Sequence, residues 1–125
     1  MIDEKLIKLI NTPPDSAAAI VTNNKEGAHV VNTWNSYIKV VDNKYLLIPV
    51  GRMNQTEKNL EEDKRVLLTI SNREVMGLSY KGTGFLVEGE GSIVNNGPYY
   101  EIIKESFSWA KGVLVIEVRE QQQTL

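Results

Sequence analysis

The stretch "VNTWNSYIKVV", Val31 to Val41, decides how this chain is read. In an extended strand, alternate side chains share a face. One set here is Asn32, Trp34, Ser36, Ile38 and Val40, and the other is Thr33, Asn35, Tyr37, Lys39 and Val41. Neither set turns apolar before Ile38. A buried polar group without a partner costs about 1–3 kcal/mol, so amides and hydroxyls crowded in mid-strand either face water or hold a polar ligand. Trp34 and Tyr37 add broad flat surfaces beside them. A planar ligand with hydrogen-bonding edges and a phosphate tail would satisfy the whole set. An exposed edge strand with aromatic cross-strand pairs would contain the same residues, and composition does not separate the two.

Working outward, Ile2, Leu6, Leu9 and Ile10 fall at helical spacing and predict an amphipathic helix over 3–11, ended by Pro13 and Pro14. "SAAAIVT" reads as a first strand and "NNKEGA" as its turn. The quoted stretch is the second strand, and "YLLIPV" the next. "GRMNQTEKNLEED" reads as a loop entering a helix, with Asn54 as N-cap and Glu57 as its capping-box partner. "RVLLTIS" is a strand, "NREVMGLSYKG" a long connection without a period, and "TGFLVEGEGSIV" a strand whose glycines suggest bulges. Pro98 opens a helix through "YYEIIKESF". "GVLVIEV" is the last strand, and "REQQQTL" a polar tail. Turn-linked strands favour an antiparallel sheet. The expectation is a mainly β single domain over 1–125: a six-stranded antiparallel sheet curled into a small barrel, with about three short helices.

The 125 residues suffice for a core without staples. Cysteine is absent, which removes disulfides, thiol nucleophiles and thiolate metal sites. The one histidine, His29, follows a turn and reads as a surface strand residue; no Gly-x-Ser-x-Gly elbow accompanies it. Net charge is −2, and basic residues are interspersed with acidic ones, so no nucleic-acid stripe is visible. No apolar run reaches the length of a membrane span. "MIDEKLIKLI" is too charged for a signal peptide, and a cytoplasmic location is expected.

After the apolar strand come Gly51, Arg52, Met53 and a helix start at Asn54–Thr56. A glycine turn entering a helix is a ready anion site, because the first helical N–H groups lack internal partners and the helix dipole favours negative charge. Thr56 adds a hydroxyl and Arg52 a permanent positive charge. Taken alone, this segment reads as an ordinary capped helix, since it lacks the second glycine and Lys-Ser/Thr pair of a Walker loop.

Taken together, "NTWNSYIKV", "PVGRMNQTEKN", "RVLLTIS", "GTGFL", "SWAKGVLVIEV" and "QTL" resemble the small FMN-binding proteins of sulfate-reducing bacteria. Those belong to the FMN-binding split-barrel family related to pyridoxamine 5'-phosphate oxidases. The resemblance implies a homodimer of six-stranded split barrels holding non-covalent FMN at the subunit interface. By that resemblance Asn32, Thr33, Trp34, Asn35, Ser36 and Tyr37 line the flavin site. Pro49, Val50, Gly51, Arg52 and Met53 wrap the ring with backbone groups, and Thr33 and Thr56 reach the phosphate. Trp109 and Leu125 arrive from the other subunit to cover the ring. One departure stands out. The family has a lysine near the phosphate, and this chain has Gln55, which donates a hydrogen bond without neutralising charge. Arg52 and Lys58 are the candidates to compensate.

Two functions follow from the resemblance: a redox carrier with an unknown partner, or an FMN-dependent oxidoreductase such as a flavin reductase or a pyridoxamine-phosphate-oxidase-like enzyme. The enzyme reading would use "NREVMGLSYKG" as a substrate pocket, with Arg73 or Lys81 binding an anion. A cofactor-free binding module is the third reading, and it leaves the polar strand unexplained.

Overall fold

The computed structural model describes all 125 residues. Helix α1 is Glu4–Asn11; strands β1 and β2 are Ala17–Asn24 and Gly27–Trp34; a 3-10 turn occupies Asn35–Tyr37; β3 and β4 are Lys39–Val41 and Tyr45–Val50. Helix α2 is Asn54–Glu62, β5 and β6 are Arg65–Met76 and Lys81–Val94, α3 is Pro98–Ser106 and β7 is Gly112–Gln123. The strands form one seven-stranded sheet in the order β2-β1-β5-β6-β7-β4-β3, with every pair antiparallel. No helix is long and apolar enough to cross a membrane.

The six strands expected become seven because the quoted stretch is two strands. The 3-10 turn breaks it, and its halves, β2 and β3, lie at opposite edges of the sheet. A flat seven-stranded sheet would be about 29 Å wide at ~4.8 Å per strand pair. The link from Trp34 to Lys39 spans at most about 18 Å. The sheet therefore has to curl until its edges approach, and since they share no ladder the barrel stays split there.

The turn forms because distant groups hold it. Asn35 N–H donates to Ser16 O at 2.8 Å, and Asn35 Nδ2 donates to Ser71 O at 2.8 Å. Ser36 donates through its N–H (3.0 Å) and its hydroxyl (2.6 Å) to the Asp15 carboxylate.

Inside the barrel, Ile20, Leu46, Ile48, Leu68, Val87 and Leu114 form the main core, and α1 plugs one end with Leu6, Leu9 and Ile10. The α1 carbonyl end is met by the buried amide of Asn72, which donates to Leu9 O at 3.1 Å and to Thr12 O at 2.6 Å. A second core lies outside the sheet, where α3 sets Ile103 against Leu47, Val113 and Val115 of β4 and β7.

Three other sequence expectations change. The segment "NREVMGLSYKG" is a hairpin: β5 runs to Met76, Gly77 N–H donates to Tyr80 O at 2.7 Å, and β6 starts at Lys81. The register shifts between Asn72 and Met76, which erased the strand period from the sequence. The polar tail is strand through Gln123, paired with Phe85. Asn54 is not the N-cap of α2; that position is Met53, with no side-chain cap, and Glu57 N–H donates to Met53 O.

Candidate functional site

The break in the quoted stretch sorts its residues. Thr33 and Asn35 are buried, Asn32 and Ser36 are exposed, and Tyr37 is half-buried. Trp34, opposite Ala17 on the outer face of the sheet, is 48% exposed. Ser36 is already committed to Asp15. Burial is the largest single influence on Asp15 and raises its pKa, but the Ser36 hydroxyl and the Ser36 and Ser16 N–H groups together outweigh it and hold the carboxyl below its ordinary value.

The Gly51 loop lies beside this break. Pro49 and Val50 are buried in β4, Arg52 is exposed, and Met53 packs on the main core. Gly51 is glycine because an indole presses on it: a Cβ there would stand 3.4 Å from Trp109 Cζ3. The Trp109 ring is 5.6 Å from Tyr37 and 5.9 Å from Phe107, which is itself 5.1 Å from Tyr37. Trp109 therefore reaches the loop from its own chain, where the resemblance had it arriving from a second copy. Sequence reading did not select Phe107 or Lys111. The N–H of Lys111 donates to Val50 O at 2.8 Å, which fixes the loop carrying Trp109 onto the Gly51 loop. A groove of about 440 Å³ beside Gly51, Met53 and Asn54 is also lined by Asn95, Asn96 and Lys111. No sequence period marks these loop residues; only β7 pairing with β4 brings them there.

Helix α2 carries the rest. Thr56 is fully buried, and its hydroxyl has no partner in the chain. Gln55 Nε2 donates to Asn59 Oδ1 at 2.8 Å; Asn59 Oδ1 also accepts from Asn24 Nδ2 at 3.1 Å, and Asn59 Nδ2 donates to Thr22 Oγ1 at 3.0 Å. Gln55 and Lys58 share a hollow of about 310 Å³ with Asn24 and Asn59. Only one other buried side-chain polar atom lacks a partner: Asn35 Oδ1.

Leu125 does not join the Gly51–Trp109 group. With Asn32 it lines a hollow of about 210 Å³ on the outer face of the sheet, floored by Ala19, Ser71, Gly84 and Leu86.

The chain thus combines a split antiparallel barrel, a helix without a side-chain cap after a glycine loop, and two buried polar atoms without a partner in the chain, the framework of a small-ligand-binding barrel. The chain belongs to the pyridoxamine 5'-phosphate oxidase family, whose model matches residues 2–124. It is 45% identical over 111 residues to the FMN-binding protein of Nitratidesulfovibrio vulgaris (strain Miyazaki F), covering 89% of this chain and 90% of that protein. HupZ of Group A Streptococcus superposes with a TM-score of 0.79 at 22% identity, over 98% of this chain and 94% of that one. An FMN-binding protein from Syntrophomonas wolfei superposes with a TM-score of 0.73 at 19% identity, over 98% and 85% of the two chains. At these identities the two structures speak for the fold.

Proposed function

We propose that this protein binds FMN without a covalent bond, as a homodimer, and serves as a redox carrier. The observation that carries the reading is the pair of orphaned buried atoms, Thr56 Oγ1 and Asn35 Oδ1. A native fold leaves few such atoms unpartnered, and their chemistry suits this cofactor. Asn35 Oδ1 can only accept, as a flavin ring N–H or a ribityl hydroxyl requires. The Thr56 hydroxyl can donate to a phosphate oxygen, beside the free N–H groups of the first α2 turn.

The bound flavin would supply one- or two-electron chemistry. This chain's own residues bind, orient and exclude water. Tyr37, Trp34 and Trp109 offer flat faces, the Gly51 loop offers backbone groups, and the buried Asn35 fixes one polar contact. Gln55, donating to Asn59, brings no positive charge to the phosphate, which leaves Arg52 and Lys58 as the nearby cations in the sequence.

The enzyme reading loses support. The segment it needed as a substrate loop is a hairpin, and Lys81 is paired with Glu74 at 2.7 Å.

The homodimer rests on the outer face. In the middle of β2, β1, β5 and β6 the outward residues Asn32, Val30, Ala19, Val21, Thr69 and Leu86 carry no charge; farther along β5 and β6, Arg65 and Glu88 bound this patch. Helix α3 covers the opposite outer half, and nothing in the chain covers this one. Monomers rarely leave large apolar patches bare, and Val30, Trp34 and Leu125 stand exposed on this side. Leu125 stands on that face, so a ring it covers belongs to the second copy.

Absorbance of the freshly purified protein tests the reading: a flavin spectrum with strongly quenched emission is expected, and colourless protein that takes up no added FMN sinks it. Steady-state assays with reduced nicotinamide dinucleotides separate carrier from oxidoreductase. Gln55→Lys is expected to tighten FMN binding by about fivefold to tenfold, the scale of one added charged hydrogen bond; weaker binding would mean the position does not face the phosphate.

A further inference from the structure

Nothing in the single chain rewards the way Leu125 is held. Thr83, buried on the same side of β6 as Phe85 and Val87, donates from Oγ1 to the Leu125 carbonyl at 3.0 Å. The same hydroxyl accepts from Gln123 Nε2 at 2.9 Å, and that amide also donates to Leu125 O at 3.1 Å, closing a triangle. Thr124 N–H donates to Gly84 O at 2.8 Å. Gly77 is required first by its own turn, where a Cβ would clash with the Gly82 and Tyr80 carbonyl oxygens, and the Leu125 backbone lies against the same point, 3.1 Å from that Cβ position. Yet the Leu125 side chain is 61% exposed, above Gly84 at the rim of the neutral hollow. Fixing a segment gives up conformational freedom, and an exposed leucine recovers none of it through burial. The recovery exists only when another surface covers the leucine.

We propose that Thr83 and Gln123 are positioning residues that set Leu125 as an apolar cover over the flavin held by the second copy. This rests on the FMN-binding homodimer reading above. The clamp acts through Leu125 alone, because neither Thr83 nor Gln123 faces the neutral hollow that Leu125 overlooks.

The test is the rate of FMN release from the loaded dimer into excess trapping protein, together with the residual emission of bound flavin and the mass in solution. Thr83→Val, which keeps the shape and removes the hydroxyl, is expected to release FMN about tenfold faster with the dimer intact. Gln123→Met should move the rate in the same direction, and Thr83→Ser should stay near wild type. Leu125→Ala should match Thr83→Val, and the double variant should be no faster than Leu125→Ala. Additive effects would overturn the clamp, because Thr83 would then act elsewhere. A wild type that binds FMN as a dimer, with a release rate unchanged by Leu125→Ala, would sink this inference and leave the function standing. A wild type that takes up no FMN would sink both.

Discussion

Thr56 and Asn35 illustrate what a side chain shows by lacking a partner. Both are buried, and each keeps one polar atom unpaired within the chain. In the flavin-free protein such an atom is a cost of about 1–3 kcal/mol; in the proposed FMN complex it would become a contact. Thr56→Val therefore has a two-sided expectation. Flavin-free protein should keep its stability or gain up to about 1 kcal/mol in denaturant unfolding, while FMN affinity by fluorescence titration should fall about tenfold. Loss of stability with unchanged affinity would mean that the hydroxyl serves the chain and not a ligand. The sequence pointed to this group of residues through misplaced polarity in "NTWNSY". It could not say which of them are buried, since strand alternation puts Asn35 and Tyr37 on one face, and the 3-10 turn buries Asn35 while Tyr37 turns to Phe107 and Trp109. The partners of that turn, Asp15, Ser16 and Ser71, are about 20 or more residues away in the chain, beyond the reach of any local pattern.

Elements were legible where period and caps agreed. Helix α1, strand β4 and the Pro98 helix stand almost where their sequences put them. Those that failed were shaped by long-range contacts. The β5–β6 hairpin lost its period to a register shift, and the β7 extension is polar because its glutamines serve other segments: Gln121 Nε2 donates to Met1 O and Gln123 Nε2 to Thr83. Two element-scale predictions follow from such contacts. Asn72→Ala strips the α1 carbonyls of their donor and should destabilise by about 1–3 kcal/mol in denaturant, with FMN affinity per folded molecule unchanged. The 3-10 turn depends on the Asp15 carboxylate, whose folded pKa is lowered. Its contribution is therefore complete above the unfolded pKa and fades as pH falls through the folded value. The melting-temperature gap between wild type and Asp15→Ala should be open at pH 7 and closed in strong acid. A gap independent of pH would show that the charge plays no part in holding the turn. The gap is expected to be small, because Asp15 is exposed.

At the scale of the molecule, the curl of the sheet divides its outside into two unequal halves. One is finished: α3 buries Ile103 on β4 and β7. Between the halves runs a band of surface ion pairs, Arg65 with Glu88 and Arg119 with Glu90 and Glu117, which keeps that band wet. The other half has an uncharged hollow floored by small residues, with Leu125 at its rim and Trp34 beside it opposite Ala17. A stable interface needs about 800 Å² from each partner, and the uncharged patch around Ala19, Val21, Val30 and Leu86 has no charge to desolvate at its centre. Ala19 sits on that face, opposite Asn32 and Thr69. An arginine there points outward and leaves the interior core untouched, yet in an isologous dimer the two-fold axis would repeat the charge on the second copy. Ala19→Arg is expected to give a monomer by sedimentation at micromolar concentration, with a far-ultraviolet spectrum like wild type. FMN affinity should drop at least tenfold, because the cover from the second copy is lost with the dimer. A variant that stays dimeric and keeps its flavin would place the interface on another face, and the neutral half would then need a different occupant.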